Sequence, residues 1–209
     1  GAQFQHAKIQ QEGAAAWHFA TTIFRLGADT SARSNIVSLG AKTARNAIHV
    51  HFEKPGAEVW LDGLFVGQGQ QSLDHYTVID HKAPHCTSHE LYKGVLQGQA
   101  TGSFLGRILM GEGAVKSATD QLCRALLLSE DAKANVKPQL EIDNDDVTAS
   151  HGAAIGNLDA DAMFYLQARG ISVLEAQSLL IEAFTREVLQ RLPCNLEEPT
   201  LDTVLARLA

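Results

Sequence analysis

The sequence predicts a mainly β chain that ends in an acidic, helical tail, and three observations carry that reading. From about residue 3 to 142, short β-rich runs alternate with Gly, Pro, Asn or Asp punctuation. Within several runs, as in Ile48-His-Val50-His-Phe52 and Val59-Trp-Leu61, apolar and polar residues alternate with the period of a strand buried on one face. Near residue 157 the period changes to that of capped helices.

The β runs are Trp17–Leu26, Asn35–Leu39, Ala47–Phe52, Glu58–Val66, His75–Asp80, Glu90–Leu96, Ser103–Met110, Gln121–Leu128 and Gln139–Ile142. Their starts recur roughly every 12 to 16 residues, a regularity shared by sandwiches, barrels and solenoids. Asn-Gly and Asp-Gly hairpin turns, common in antiparallel meanders, are nearly absent; only Asp62-Gly63 fits. That absence favours a solenoid and leaves the other two open.

In the tail, Asp159 is placed to cap a helix running to Arg169, with Gly170 as its stop. Ser172 and Glu175 form a capping box that opens a second helix, with apolar residues from Leu174 to Leu189 at three- and four-residue intervals and Pro193 ending it. A last short helix is expected from Thr200, as its cap, to Leu208. The expected organisation is a β domain over residues 1–156 and a helical domain over 157–209.

Composition is that of a globular chain: 209 residues, 45% apolar, 20% charged and 6% aromatic. No run approaches the length of a membrane span and no secretory leader is visible. The Gly-Ala start reads as a piece of a longer protein. Cys86, Cys123 and Cys194 form no C-x-x-C pair, which points away from a disulfide framework or a Cys₄ site and toward a reducing cytosol; each is expected to be buried or half-buried. Up to Leu128 there are 11 Lys+Arg against 10 Asp+Glu, and beyond it 6 against 14. An acidic tail repels phosphate backbones, so nucleic acid is not an expected partner, nor is a membrane.

The densest polar constellation is His81, His85, Cys86 and His89. As a metal site it would require a turn at Pro84, because on one extended strand the three histidines share a face but spread roughly 13 Å apart at each step. Turn or surface roles are the simpler reading. A nucleophile elbow, a Walker motif and a complete dinucleotide loop are absent, and Asp143-Asn-Asp145-Asp146 lacks the remaining positions of a calcium loop.

Lys137-Pro-Gln-Leu-Glu-Ile142, Asp145-Asp-Val147, Ser150-His-Gly-Ala153 and Gly156, followed by Phe164-Tyr-Leu166 and Arg169-Gly-Ile171, resemble the SufB/SufD family of iron–sulfur cluster assembly proteins. Upstream, Asp80-His81, Cys86, Ser88 and Lys93-Gly-Val-Leu96 are similar to the family's preceding rungs, so the match runs from about residue 75 to 190. The Ser150-His-Gly-Ala153 segment is closer to the SufD branch than to SufB.

The resemblance implies a right-handed parallel β-helix with a C-terminal helical domain. It implies a non-catalytic scaffold in the cytoplasm (or a plastid stroma) that pairs with SufB through the end of the β-helix and docks the SufC ATPase on its helices. No stably bound cofactor is implied, only a transient cluster at the SufB interface, where His151 matches the family's histidine. Ala149 stands where many SufD proteins have cysteine. Phe164, Tyr165, Ile171 and Phe184 become candidates for SufC docking or core anchoring. Coils missing from the N-terminal side would leave an open sheet edge, which leads to an expected homodimer or crystal contacts through an exposed end. The rival readings are a secreted-type carbohydrate-binding or lyase β-helix, and a stand-alone metal-binding protein using His81, His85 and His89.

Overall fold

The computed structural model describes residues 1–208. Eleven strands come first: β1 (Gln3–Gln10), β2 (Trp17–Leu26), β3 (Ser31–Ser38), β4 (Thr43–Phe52), β5 (Glu58–Gly67), β6 (Ser72–His81), β7 (Thr87–Leu96), β8 (Thr101–Met110), β9 (Ser117–Leu127), β10 (Lys133–Ile142) and β11 (Val147–Gly156). Helices α1 (Ala160–Ala168), α2 (Val173–Leu189) and α3 (Cys194–Leu208) follow.

Odd strands form one six-stranded sheet in the order β1-β3-β5-β7-β9-β11, and even strands a five-stranded sheet in the order β10-β8-β6-β4-β2. Every pairing is parallel and joins each strand to the next but one in sequence. The chain is therefore a β-solenoid with two strands per coil, which is why hairpin turns are not needed. Asp62-Gly63, the one hairpin signal, lies in the middle of β5.

Alternation decides what faces the lumen. Val59, Leu61 and Phe65 of β5 and Ile48, Val50 and Phe52 of β4 point inward and are fully buried. Large residues sit beside glycines in register: Tyr92 pairs with Gly63, and Phe65 with Gly94. A Cβ at Gly63 would lie 2.1 Å from the Tyr92 ring, and one at Gly94 2.1 Å from the Phe65 ring, so the lumen closes only with a large residue next to none.

The outer face of the odd-strand sheet is also apolar. Val37, Leu39, Leu64, Val66, Leu91 and Val95 form one cluster with Ile181, Val188 and Leu189 of α2 and Leu201, Val204 and Leu208 of α3. The helices thus lie against the sheet. Beneath them, Lys93 Nζ donates to the Phe184 carbonyl at 2.6 Å and pairs with Glu187, while Arg191 pairs with buried Asp62 at 2.7 Å.

Asp159 caps α1, and the Ser172–Glu175 capping box opens α2, as the sequence predicts. Other elements differ: β1 (Gln3–Gln10) has no counterpart among the runs read from the sequence, β10 begins at Lys133 and not Gln139, and α3 and β11 depart further. Helix α3 begins at Cys194, not Thr200: the Pro193 carbonyl accepts from Leu196 N, Pro199 is carried inside the helix, and buried Thr200 donates its hydroxyl back to the Leu196 carbonyl at 2.6 Å. Packing of Leu201, Val204 and Leu208 on the sheet outweighs the hydrogen bond that Pro199 removes. Strand β11 has no apolar alternation, since Thr148 to Ala154 are small or polar, and its pairing with β9 is what makes it a strand.

Candidate functional site at the open end of the solenoid

The last coil leaves its upper surface uncovered. Strands β10 and β11 are the terminal strands of their sheets, so each carries an unpaired edge. Pro138 is accommodated in β10 because a proline costs no ladder bond on the outer side of an edge strand. The lumen-facing register continues onto both strands: Val136, Pro138, Leu140 and Ile142 pair with the inward residues of β8, and Ala149, His151, Ala153 and Ile155 with those of β9. Val136, Leu140 and Ala149 pack down on the core beneath, while Ile142 and Ile155 are exposed. The result is an apolar platform with two open edges and one imidazole.

That imidazole is His151, exposed, at the top of a lumenal column. Below it the register runs through Gln121, Glu90 and Leu61 to Ser34. Gln121 Nε2 donates to the Glu90 carboxylate, and both side chains are buried. Burial is the main cause that lifts the Glu90 carboxyl to about 7; the Gln121 and Thr77 side chains beside it oppose the rise. Ala149 lies on the same face as His151, two residues away, so a thiol at that position would stand beside the ring.

The histidine cluster of the sequence is dispersed. His81 points into the lumen, stacks on Phe52 at 4.4 Å and bonds Ser88 Oγ at 2.9 Å; burial lowers its pKa to about 4. His85 is exposed in a turn with φ 57°. His89 faces outward, stacked on Trp60 at 3.9 Å and paired with Asp120. The turn at Pro84 separates these side chains instead of gathering them. Cys86 shares the inward side with His81, and its thiol pKa is raised chiefly by burial. Cys123 is buried, whereas Cys194 is exposed, contrary to the expectation for it. Asp143 to Asp146 form a turn in which Asn144 Oδ1 accepts from Asp146 N at 2.8 Å. Among the described residues no three His, Cys, Asp or Glu side chains gather as a metal cage.

At the start of the tail, Phe164 and Tyr165 of α1 are 74% and 56% exposed, and Val173 and Leu174 at the start of α2 are exposed too. Ile171 lines a shallow hollow with Gly170, Glu175, Ser178 and Leu179. Phe184 belongs to a different environment: half-buried, with the Lys93 ammonium 4.5 Å from its ring centroid. Gln121 and Glu90, unremarked in the sequence, sit one coil and two coils below His151; the coil period of about thirty residues was the signal that could have found them.

Residues 1–184 match the family model of the SUF system FeS cluster assembly SufBD core domain. The chain belongs to the SufBD family. It is 34% identical over 192 residues to a SufBD family iron–sulfur cluster assembly protein of Synechocystis, covering 92% of this chain and 42% of that protein. Protein ABCI7, chloroplastic, of Arabidopsis thaliana is 36% identical over 197 residues, covering 92% of this chain and 41% of that one. The iron–sulfur cluster assembly protein SufD of Escherichia coli is 31% identical over 207 residues, covering 99% and 48%. The chain thus spans less than half the length of these SufBD relatives. Membership of this family replaces both the carbohydrate-binding and the stand-alone metal-binding readings. Among the described residues, no helix is long and apolar enough to cross a membrane.

Proposed function

We propose that this chain is a non-catalytic scaffold element of a cytoplasmic or plastid-stromal iron–sulfur assembly complex, pairing through the open end of its solenoid with a SufB-type subunit and holding a SufC-type ATPase on its helices. The observation that carries the reading is the exposed His151 set in an apolar platform between two unpaired sheet edges. Two open β edges and an apolar surface suit continuation of the sheets by another solenoid. A lone imidazole has too few partners here to retain a metal, and it fits a role as one ligand of a cluster whose other ligands come from across the interface. The cluster is then cargo, formed between subunits and passed on. Neutral imidazole in place of a thiolate lowers the negative charge on the nascent cluster, which eases its release.

The test is co-expression of the full-length protein with SufB-type and SufC-type subunits from the same source, comparing wild type with His151→Ala. The expected result is an intact complex in both and loss of cluster formation in the variant. Undiminished cluster formation by an intact His151→Ala complex removes His151 from the mechanism. Failure of the wild-type chains to associate removes the scaffold role.

A further inference from the structure

Gln121 is 2% exposed, and its two amide ends have unequal surroundings. Nε2 is held by the Glu90 carboxylate, which fixes the amide plane. Oε1 is buried with no hydrogen-bond partner. A buried carbonyl oxygen left without a partner is costly, and the next residue in register on the same face is His151. Neighbouring strands stand about 4.8 Å apart, so His151 and Gln121 occupy adjacent rungs on the same face, one strand spacing from each other. Space for the amide is provided by Gly106 of β8, where a Cβ would come 2.2 Å from Gln121 Nε2.

We propose that Gln121 is the positioning residue for His151: its Oε1 accepts one ring N–H, and Glu90 holds the amide so that this oxygen, not the NH₂ group, faces the ring. The proposal rests on the reading of His151 as a cluster ligand and adds how that ligand is prepared. An imidazole that donates from one nitrogen is locked in one tautomer, with the lone pair on the other nitrogen. Metal-binding histidines are oriented in this way by a second partner, which also makes the free nitrogen a better donor. Here the free nitrogen faces the open end of the solenoid, where the partner's ligands would meet it.

The test reads the ring itself, on the full chain with ¹⁵N-labelled histidine and no partner or metal. At about pH 8.5, two units above the ordinary histidine pKa, ring ¹⁵N shifts report the tautomer, with His151→Ala assigning the signal. The expected result is an excess of one tautomer of about tenfold, as a hydrogen bond of ordinary net strength supplies, relaxing to the free-imidazole mixture in Gln121→Met. Glu90→Gln, which keeps an acceptor for Nε2, retains the excess; Glu90→Leu loses it. A wild-type ring already at the free-imidazole mixture overturns the proposal without any variant, as does an unchanged excess in folded Gln121→Met. A locked ring together with unimpaired cluster formation in His151→Ala overturns the functional reading and leaves the hydrogen bond standing.

Discussion

Arg191 Nη1 donates to Asp62 Oδ1 at 2.7 Å, tying the segment after α2 to the middle of β5 across 129 residues. The Asp62 side chain is 1% exposed and also accepts from Asn35 Nδ2 at 3.3 Å. Burial pushes its carboxyl upward, and Arg191 is the largest influence holding it down. The pair therefore offsets a desolvation cost more than it adds stability of its own. Removing only the cation strands the carboxylate. Arg191→Ala is expected to cost about 2 kcal/mol, since Arg191 is partly solvated and the loss falls below that of a fully buried pair. In a chain of this length that lowers Tm by about 4–8 °C. Adding Asp62→Asn should recover most of the loss. Thermal unfolding of the two singles and the double checks it, and additive losses would mean the two residues do not act as a pair.

The lumen gives a pH dependence whose sign differs between groups. Glu90 has a folded pKa of about 7 against an ordinary 4.5, so the folded state binds the extra proton between these values and Glu90 subtracts stability as pH rises through that window. His75 and His81, lowered to about 3 and about 4 chiefly by burial, act oppositely: the unfolded state binds the extra protons, so stability falls as pH drops below 6.5. The two effects overlap, so Glu90 is read from a difference. Glu90→Gln should match wild type below pH 4.5 and exceed it by about 3 kcal/mol above pH 7. Urea unfolding across that range measures the gap. A gap independent of pH would mean that Glu90 is not a strained carboxylate.

Tyr92 and Gly63 separate packing from polarity. The Tyr92 hydroxyl is buried without a partner, so Tyr92→Phe should leave the fold unchanged or stabilise it by up to about 1 kcal/mol. Gly63→Ala drives a methyl into the Tyr92 ring and should cost about 2–3 kcal/mol or more. A smaller ring-side residue, as in Gly63→Ala with Tyr92→Leu, returns part of it. Denaturation midpoints decide this, and a large loss in Tyr92→Phe would reveal a bridging water.

Much of this architecture is legible in the residues, and the exceptions have physical causes. Strand β2 is bounded in the sequence as in the structure, because Gly27 punctuates its end. The caps of α1 and α2 are local chemistry and are read directly from Asp159, Ser172 and Glu175. Strand β11 is not, because its residues are held by a neighbour thirty positions back and not by their own propensity. For the same reason the site was half visible. The family resemblance supplies His151, but Gln121 and Glu90 reach it only through the register of stacked coils. The His81–His89 group shows the converse. Nearness in sequence suggested one site, and a single turn sends the rings into the lumen, the solvent and the outer face.

The open platform should make the isolated chain self-associate, because its edges and its apolar surface are uncovered. Ile155→Lys places a charge on that surface and on an edge strand, and is expected to weaken any dimer at least about tenfold, the effect of roughly 1.4 kcal/mol. Sedimentation velocity over a concentration series measures it. An unchanged dimer in Ile155→Lys would locate self-association elsewhere, with the exposed Phe4, Trp17 and Phe19 at the opposite end as the next surface to alter.

The four aromatic and aliphatic candidates in the helical region should divide into two behaviours. Phe164 and Tyr165 are exposed and, with Leu174 at 77% exposure, offer apolar area that the fold itself does not use. Phe164→Glu or Leu174→Glu is therefore expected to leave Tm within about 2 °C of wild type, as surface substitutions do, while lowering SufC-type ATPase binding at least about tenfold. Phe184 packs in the cluster joining α2 to the sheet and lies under the Lys93 ammonium, so Phe184→Ala should cost about 3 kcal/mol of stability, and binding should fall only as far as the helices loosen. Ile171, half-buried beside the α1–α2 turn, should fall between the two. Paired thermal melts and calorimetric titrations with the ATPase separate the groups. If Phe164→Glu and Leu174→Glu bind as wild type does, docking does not use the α1–α2 hairpin, and the cleft lined by Ile181, Leu205 and Leu208 between α2 and α3 is the surface to test instead.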